Sequence, residues 1–93
     1  MISIIIINFN GKEFLKNCLD SIEGQKLDSY EIILVDNNST DDSIRFVEDN
    51  YSSVRLIKNK ENLGFSEANN IGYKASKGDY ILFINNDIKG GTN

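Results

Sequence analysis

Three apolar runs punctuate the chain, and each stops on a polar side chain: Ile4 to Ile7 before Asn8, Ile32 to Val35 before Asp36, and Ile81 to Ile84 before Asn85-Asn86-Asp87. Runs of four or five apolar residues bounded by turn residues read as buried strands. The isoleucine run has no alternation, as expected of a parallel strand covered on both faces. A fourth, shorter strand is expected over Val54 to Ile57. Between the runs the apolar spacing changes to helical steps: Phe14, Leu15, Cys18, Leu19 and Ile22; then Ile44, Val47 and Tyr51; then Ala68, Ile71, Gly72 and Ala75. Each set makes one stripe along a helix. Asn10 is placed to cap the first helix, Ser39 with Asp42 resembles a capping box for the second, and Ser66 precedes the third stripe as its cap. Gly24 and Gly78 are placed to end the first and third helices.

Strand and helix therefore alternate as β-α-β-α-β-α-β. That alternation predicts an α/β fold, a three-layer α/β/α sandwich with a parallel sheet of about four strands joined by right-handed crossovers. The simplest strand order is 3-2-1-4. It reverses the direction of winding between the first and fourth strands, and ligands of open α/β sheets sit at the carboxyl ends of strands beside such a reversal. The order brings Asn8–Asn10 next to Asn85–Asp87, with Asp36 ending the neighbouring strand.

Ninety-three residues suffice for one small domain. Hydrophobic residues at 40% and charged residues at 26% are ordinary for a globular protein and argue against a disordered chain. A net charge of −4, with Lys and Arg scattered, disfavours nucleic acid as a partner. The absence of His removes His-based zinc sites and His general bases from these residues. The lone Cys18 lies in an apolar stripe and reads as a small core residue rather than a nucleophile. No apolar run approaches the ~20 residues of a membrane span and no basic leader opens the chain, so a cytoplasmic location is expected, with membrane association of the full-length protein left open.

Of 13 Asn residues, eight fall in the loops between elements: Asn8, Asn10, Asn37, Asn38, Asn59, Asn62, Asn85 and Asn86. Asn is a turn and cap residue, and local geometry accounts for Asn10, Asn38 or Asn59 taken singly. It leaves unexplained why Asp36 and Asp87 end two central runs, since a carboxylate at a buried strand end is costly unless something satisfies it. No G-x-G-x-x-G follows the first strand and no G-x-x-x-x-G-K-[ST] is present, so neither familiar phosphate cradle applies. A phosphate site built without them calls for a hard cation with oxygen ligands, Mn2+ or Mg2+, and Asp87 is the candidate metal ligand.

Four blocks together resemble the family-2 glycosyltransferases of GT-A fold. They are Ser3-Ile4-Ile5-Ile6-Ile7-Asn8-Phe9-Asn10, Glu31 through Asp41, Asn62 through Gly72, and Gly78 through Asp87. The resemblance covers almost the whole chain and implies the Rossmann-like N-terminal half of that fold, a single nucleotide-sugar-binding (donor) domain over 1–93. It implies an inverting transferase that passes a sugar from a UDP- or dTDP-linked donor to an acceptor glycan or lipid-linked sugar. Matched to the family's motifs, Asn8, Asn10, Asp36, Asn38, Asn70, Asn85 and Asn86 would contact the nucleotide, and Asp87 would be the metal-binding acid of a DXD-like motif. Asn85 stands where an acid is usual, and Asn69 where many members carry Arg. The paired Asn residues are similar to a rhamnosyltransferase-like branch, which keeps the dTDP sugar open. The catalytic base and the acceptor half are expected beyond Asn93, so these residues alone are expected to bind without transferring, and their uncovered apolar surface to self-associate.

Two other readings fit the pattern. One is a non-catalytic nucleotide-binding or assembly module. The other is a receiver-like phosphate enzyme, which would need an acidic pair where Asn8-Phe9-Asn10 stands.

Overall fold

The computed structural model describes residues 1–25 and 27–85. Seven elements follow one another: β1 (Ile2–Asn8), α1 (Lys12–Glu23), β2 (Tyr30–Asp36), α2 (Ser43–Asn50), β3 (Arg55–Lys58), α3 (Phe65–Ala75) and β4 (Tyr80–Asn85). The strands form one parallel sheet in the order β3-β2-β1-β4. Fold class, strand order and switch point are those expected from the apolar pattern.

The isoleucine run makes two cores at once. Ile4 and Ile6 point to the layer of α1 and α2, where they join Leu15, Leu19, Leu34 and Val47. Ile5 and Ile7 point to the other face, against Ile33, Val35 and Ala68 of the α3 layer. A strand needs no polar residue when both of its faces are roofed. Gly72 lets α3 lie close on the sheet: a Cβ there would come within 2.5 Å of Ile5 Cγ2. Gly78 serves a different purpose from the helix stop expected of it. The third helix already ends at Ala75, and a Cβ on Gly78 would meet the Met1 carbonyl at 2.7 Å and the Ser3 amide at 2.8 Å. Gly78 is required by the close approach of the β4 entry to β1.

The helix starts differ from the expected caps. Gly11, Asp42 and Gly64 occupy the three cap positions, none with a side-chain cap bond. Ser66 falls inside α3. Asn10 is turned to partners about thirty positions away, and Ser39 to Asp36 as well as to such distant partners, as described below. Cys18 is half-buried, and burial pushes its thiol up, in keeping with a packing role. Among the described residues no helix is long and apolar enough to cross a membrane. The β4 edge shows Tyr80, Leu82 and Phe83 to solvent at 73%, 50% and 45%, beside an apolar groove of about 450 Å³ lined by Phe14, Cys18, Ile22 and Ile84.

Candidate nucleotide-sugar site at the carboxyl rim of the sheet

β1 and β2 run in register so that Asn8 lies directly beside Asp36 at the carboxyl end of the ladder. Both side chains project to the α1–α2 face, continuing the alternation of Ile4, Ile6, Ile32 and Leu34. Both are buried, at 0% and 3% exposure, which makes their hydrogen bonds obligatory. Asn8 Nδ2 donates to Asp36 Oδ1 at 2.8 Å and is shared with the hydroxyls of Ser39 and Ser43, both at 3.1 Å. Asn8 Oδ1 accepts from the Gly11 amide, which turns the chain into α1.

Asp36 is held from the β2–α2 loop as well. Its Oδ2 accepts from the Ser39 amide at 2.8 Å and its Oδ1 from the Ser39 hydroxyl at 2.6 Å. The protein itself therefore meets much of the desolvation cost that a ligand had been invoked to meet. Among the described residues no ion pair includes Asp36. The negative charge is hydrogen-bonded but not neutralised. The next carboxylates along the loop are differently placed. Asp41 accepts from the Ser43 amide and hydroxyl. Asp42 pairs with Lys12 at 3.1 Å, and the hydrogen bond from that ammonium holds its carboxyl below the usual range.

Asn10 joins the two loops. Its φ of 55° lies in the left-handed region that Asn tolerates better than most residues. In that conformation its amide donates to Ser39 Oγ at 2.8 Å, and its Oδ1 accepts from the amides of Thr40 at 2.7 Å and Asp41 at 3.1 Å. Asn38 also has a left-handed φ, 68°, and is exposed. Asn70 is exposed on α3. At the neighbouring Asn69 the side-chain oxygen is buried without a partner among the described residues.

Three residues outside the candidate set join the hydrogen-bond network of the rim. Ser39 and Ser43 complete the network under Asn8. Asn37, at 3% exposure, ties the β3–α3 loop to the rim, donating to the Gly64 carbonyl and accepting from Asn59 Nδ2 and the Leu63 amide. The signal was available in the adjacency Asp36-Asn37-Asn38-Ser39 at a strand end, where side chains that bond neighbouring backbone are favoured. At the fourth strand, Ile7 lies beside Asn85, so the backbone leaves β4 level with the end of β1. Asn86 and Asp87 lie outside the described residues, and for Asn85 only the backbone is described.

Solved structures of GT-A glycosyltransferases superpose on this four-stranded 3-2-1-4 sheet. The Staphylococcus aureus TarS 1–349 structure in complex with UDP aligns with a TM-score of 0.84 at 24% identity, over 92% of this chain and 27% of that one. Glucosyl-3-phosphoglycerate synthase of Mycobacterium tuberculosis, in complex with Mn2+, UDP and glucosyl-3-phosphoglycerate, aligns at 0.73 with 27% identity, over 94% of this chain and 33% of that one. In sequence, an uncharacterized glycosyltransferase of Haemophilus influenzae is 38% identical over 88 residues, 94% of this chain and 29% of its own length. Residues 3–88 match glycosyl transferase family 2, and the chain belongs to that family. It spans between a quarter and a third of the length of the first curated relatives it matches.

Proposed function

We propose that this chain is the donor-binding part of an inverting, metal-assisted glycosyltransferase acting on a UDP- or dTDP-linked sugar. The single observation behind the proposal is the convergence of the β1, β2 and β4 ends on one rim, with Asn8 and Asp36 held in one network beside the β4 exit. On this reading Asn8, Asn10, Asp36, Asn38, Asn70, Asn85 and Asn86 line the nucleotide, and Asp87 holds the cation. Asn85 lies beside Ile7, so the described part of β4 ends level with the carboxyl end of β1, which suits that assignment.

Among the described residues no group of three His, Cys, Asp or Glu side chains could hold a metal. A single carboxylate with the diphosphate oxygens of the donor is the coordination that hard cations accept. A bound Mn2+ or Mg2+ would supply Lewis-acid stabilisation of the charge that develops on the departing diphosphate. The rim residues would bind and orient the nucleoside. Direct displacement at the anomeric carbon needs a base for the acceptor hydroxyl, and that base together with the acceptor-binding half is assigned to residues beyond Asn93. The 93 residues alone would bind nucleotide without transferring sugar. The exposed apolar edge of β4 supports self-association of the chain as a further part of the proposal, and sedimentation as a monomer at high concentration would refute that part.

Calorimetric titration of the chain with UDP and with dTDP, with and without Mn2+, tests the donor reading. The expected result is binding that strengthens with Mn2+ and loses that dependence in Asp87→Ala. Absence of nucleotide binding overturns the reading. Unchanged Mn2+ dependence in Asp87→Ala overturns the metal assignment.

A further inference from the structure

We infer that Ser39 is a positioning residue for the nucleotide, acting through Asp36 and Asn10 without touching the ligand; the inference rests on the donor-site reading above. A serine hydroxyl has one proton to give and two lone pairs to receive with. At Ser39 the proton goes to Asp36 Oδ1 at 2.6 Å, one lone pair takes the Asn10 amide at 2.8 Å, and the other takes Asn8 Nδ2 at 3.1 Å. The capacity of the hydroxyl is used up inside the protein. A ligand hydrogen bond to it would have to displace one of these three.

Its neighbours differ in this respect. Asp36 has about four acceptor positions, and among the described residues two on Oδ1 and one on Oδ2 are taken, which leaves Oδ2 capacity for one more donor. Asn10 spends its backbone amide on Ser39 and its Oδ1 on Thr40 and Asp41. Ser39 thus takes the Asn10 amide while Asn10 Oδ1 takes the Thr40 and Asp41 amides, and together these bonds brace the gap between the β1–α1 and β2–α2 loops. The brace holds two separate loops as one wall and fixes the direction of the spare lone pair on Asp36. A site whose walls are set before the ligand arrives loses less freedom on binding, and that gain is measured as affinity and selectivity.

Titrations with UDP and with ADP, run well below the melting temperature on wild type, Ser39→Ala, Ser39→Thr and Ser39→Cys, test the inference. Ser39→Ala removes all three hydrogen bonds and is expected to weaken UDP binding about tenfold and to narrow the preference for UDP over ADP. Ser39→Thr keeps the hydroxyl and is expected to restore both. Ser39→Cys keeps the shape but weakens each bond, with an expected loss of about threefold, and it serves where Ser39→Ala fails to fold. UDP affinity and selectivity in folded Ser39→Ala or Ser39→Cys equal to wild type would overturn the positioning role while leaving the donor site standing. A wild-type chain that binds neither nucleotide would overturn both.

Discussion

The β1–β2 ladder carries a carboxylate at each end, and the two are held in contrasting ways. At the amino end Ser3 lies in register with Glu31, and at the carboxyl end Asn8 lies in register with Asp36. Glu31 Oε1 receives the Arg55 guanidinium at 2.9 Å, while Oε2 accepts from the Ser3 hydroxyl at 2.6 Å and the Lys77 amide at 2.7 Å. Ser3 Oγ in turn accepts from the Gly78 amide at 2.8 Å. Everything about that cluster ties the α3–β4 connection to the sheet, and its charge is cancelled. Among the described residues Asp36 receives only neutral donors, from the loop of its own rim and the neighbouring strand end. A neutralised carboxylate wired to distant backbone serves the fold. One that is oriented by neutral donors at the rim suits the proposed ligand site, and burial alone would not make the distinction, since the Glu31 side chain is only slightly more exposed, at 13%, than Asp36 at 3%.

Matched neutralisations test the contrast. The largest stability effect is expected for Glu31→Gln, about 2–3 kcal/mol by urea denaturation, because a charge-assisted bond is lost and an amide N–H₂ faces donors. UDP affinity of the folded variant should stay at the wild-type level. Asp36→Asn should cost less stability, about 1–2 kcal/mol, but weaken UDP binding about tenfold, as a charged acceptor at the rim is exchanged for a neutral amide. Equal loss of affinity in both variants would erase the distinction between the two ends.

Acid titration gives a smaller effect of defined sign. Burial pushes the Glu31 carboxyl up, but the hydrogen bonds from Ser3, Lys77 and Arg55 outweigh it and hold the group below its ordinary value. Its contribution to stability is therefore complete above the ordinary glutamate value and is lost as pH falls through the depressed one. Glu31→Gln should flatten the acid limb of a melting-temperature profile, and an unchanged acid limb would contradict the assignment. On the alkaline side, the Tyr51 phenol donates to the Asp20 carboxylate, which pushes the phenol up to about 12. That contribution is present below about 10 and fades as pH rises through 12. Tyr51→Phe should remove this alkaline dependence, the smallest of the effects.

Much of the carboxyl rim could be read from residue order. Asn8 and Asp36 were identified because they stop apolar runs, and a parallel ladder then forces them side by side. The helix caps could not be read this way. Asn10 and Ser39 have the right side chains for local capping, yet in the fold Asn10 Oδ1 is taken by amides 30 and 31 positions away, and the Ser39 hydroxyl is divided between Asp36, three positions back, and partners 29 and 31 positions away. Ser39 carries no separate signal in the sequence, because a helix-start motif accounts for it, although its hydroxyl joins both loops of the rim. Gly78 was read as a helix stop because the closeness of Met1 and Ser3, more than seventy positions earlier, has no local trace.

By itself the amino-acid sequence determined the alternation of strand and helix, the doubly covered β1, the 3-2-1-4 order and the rim where polar strand ends meet. These follow from burial, which apolar spacing records residue by residue. Only the tertiary structure decided which polar groups are consumed in holding the rim together and which keep capacity for a ligand. The reason is valence: each donor or acceptor serves few partners, and the choice among them depends on what the folded chain brings within about 3 Å.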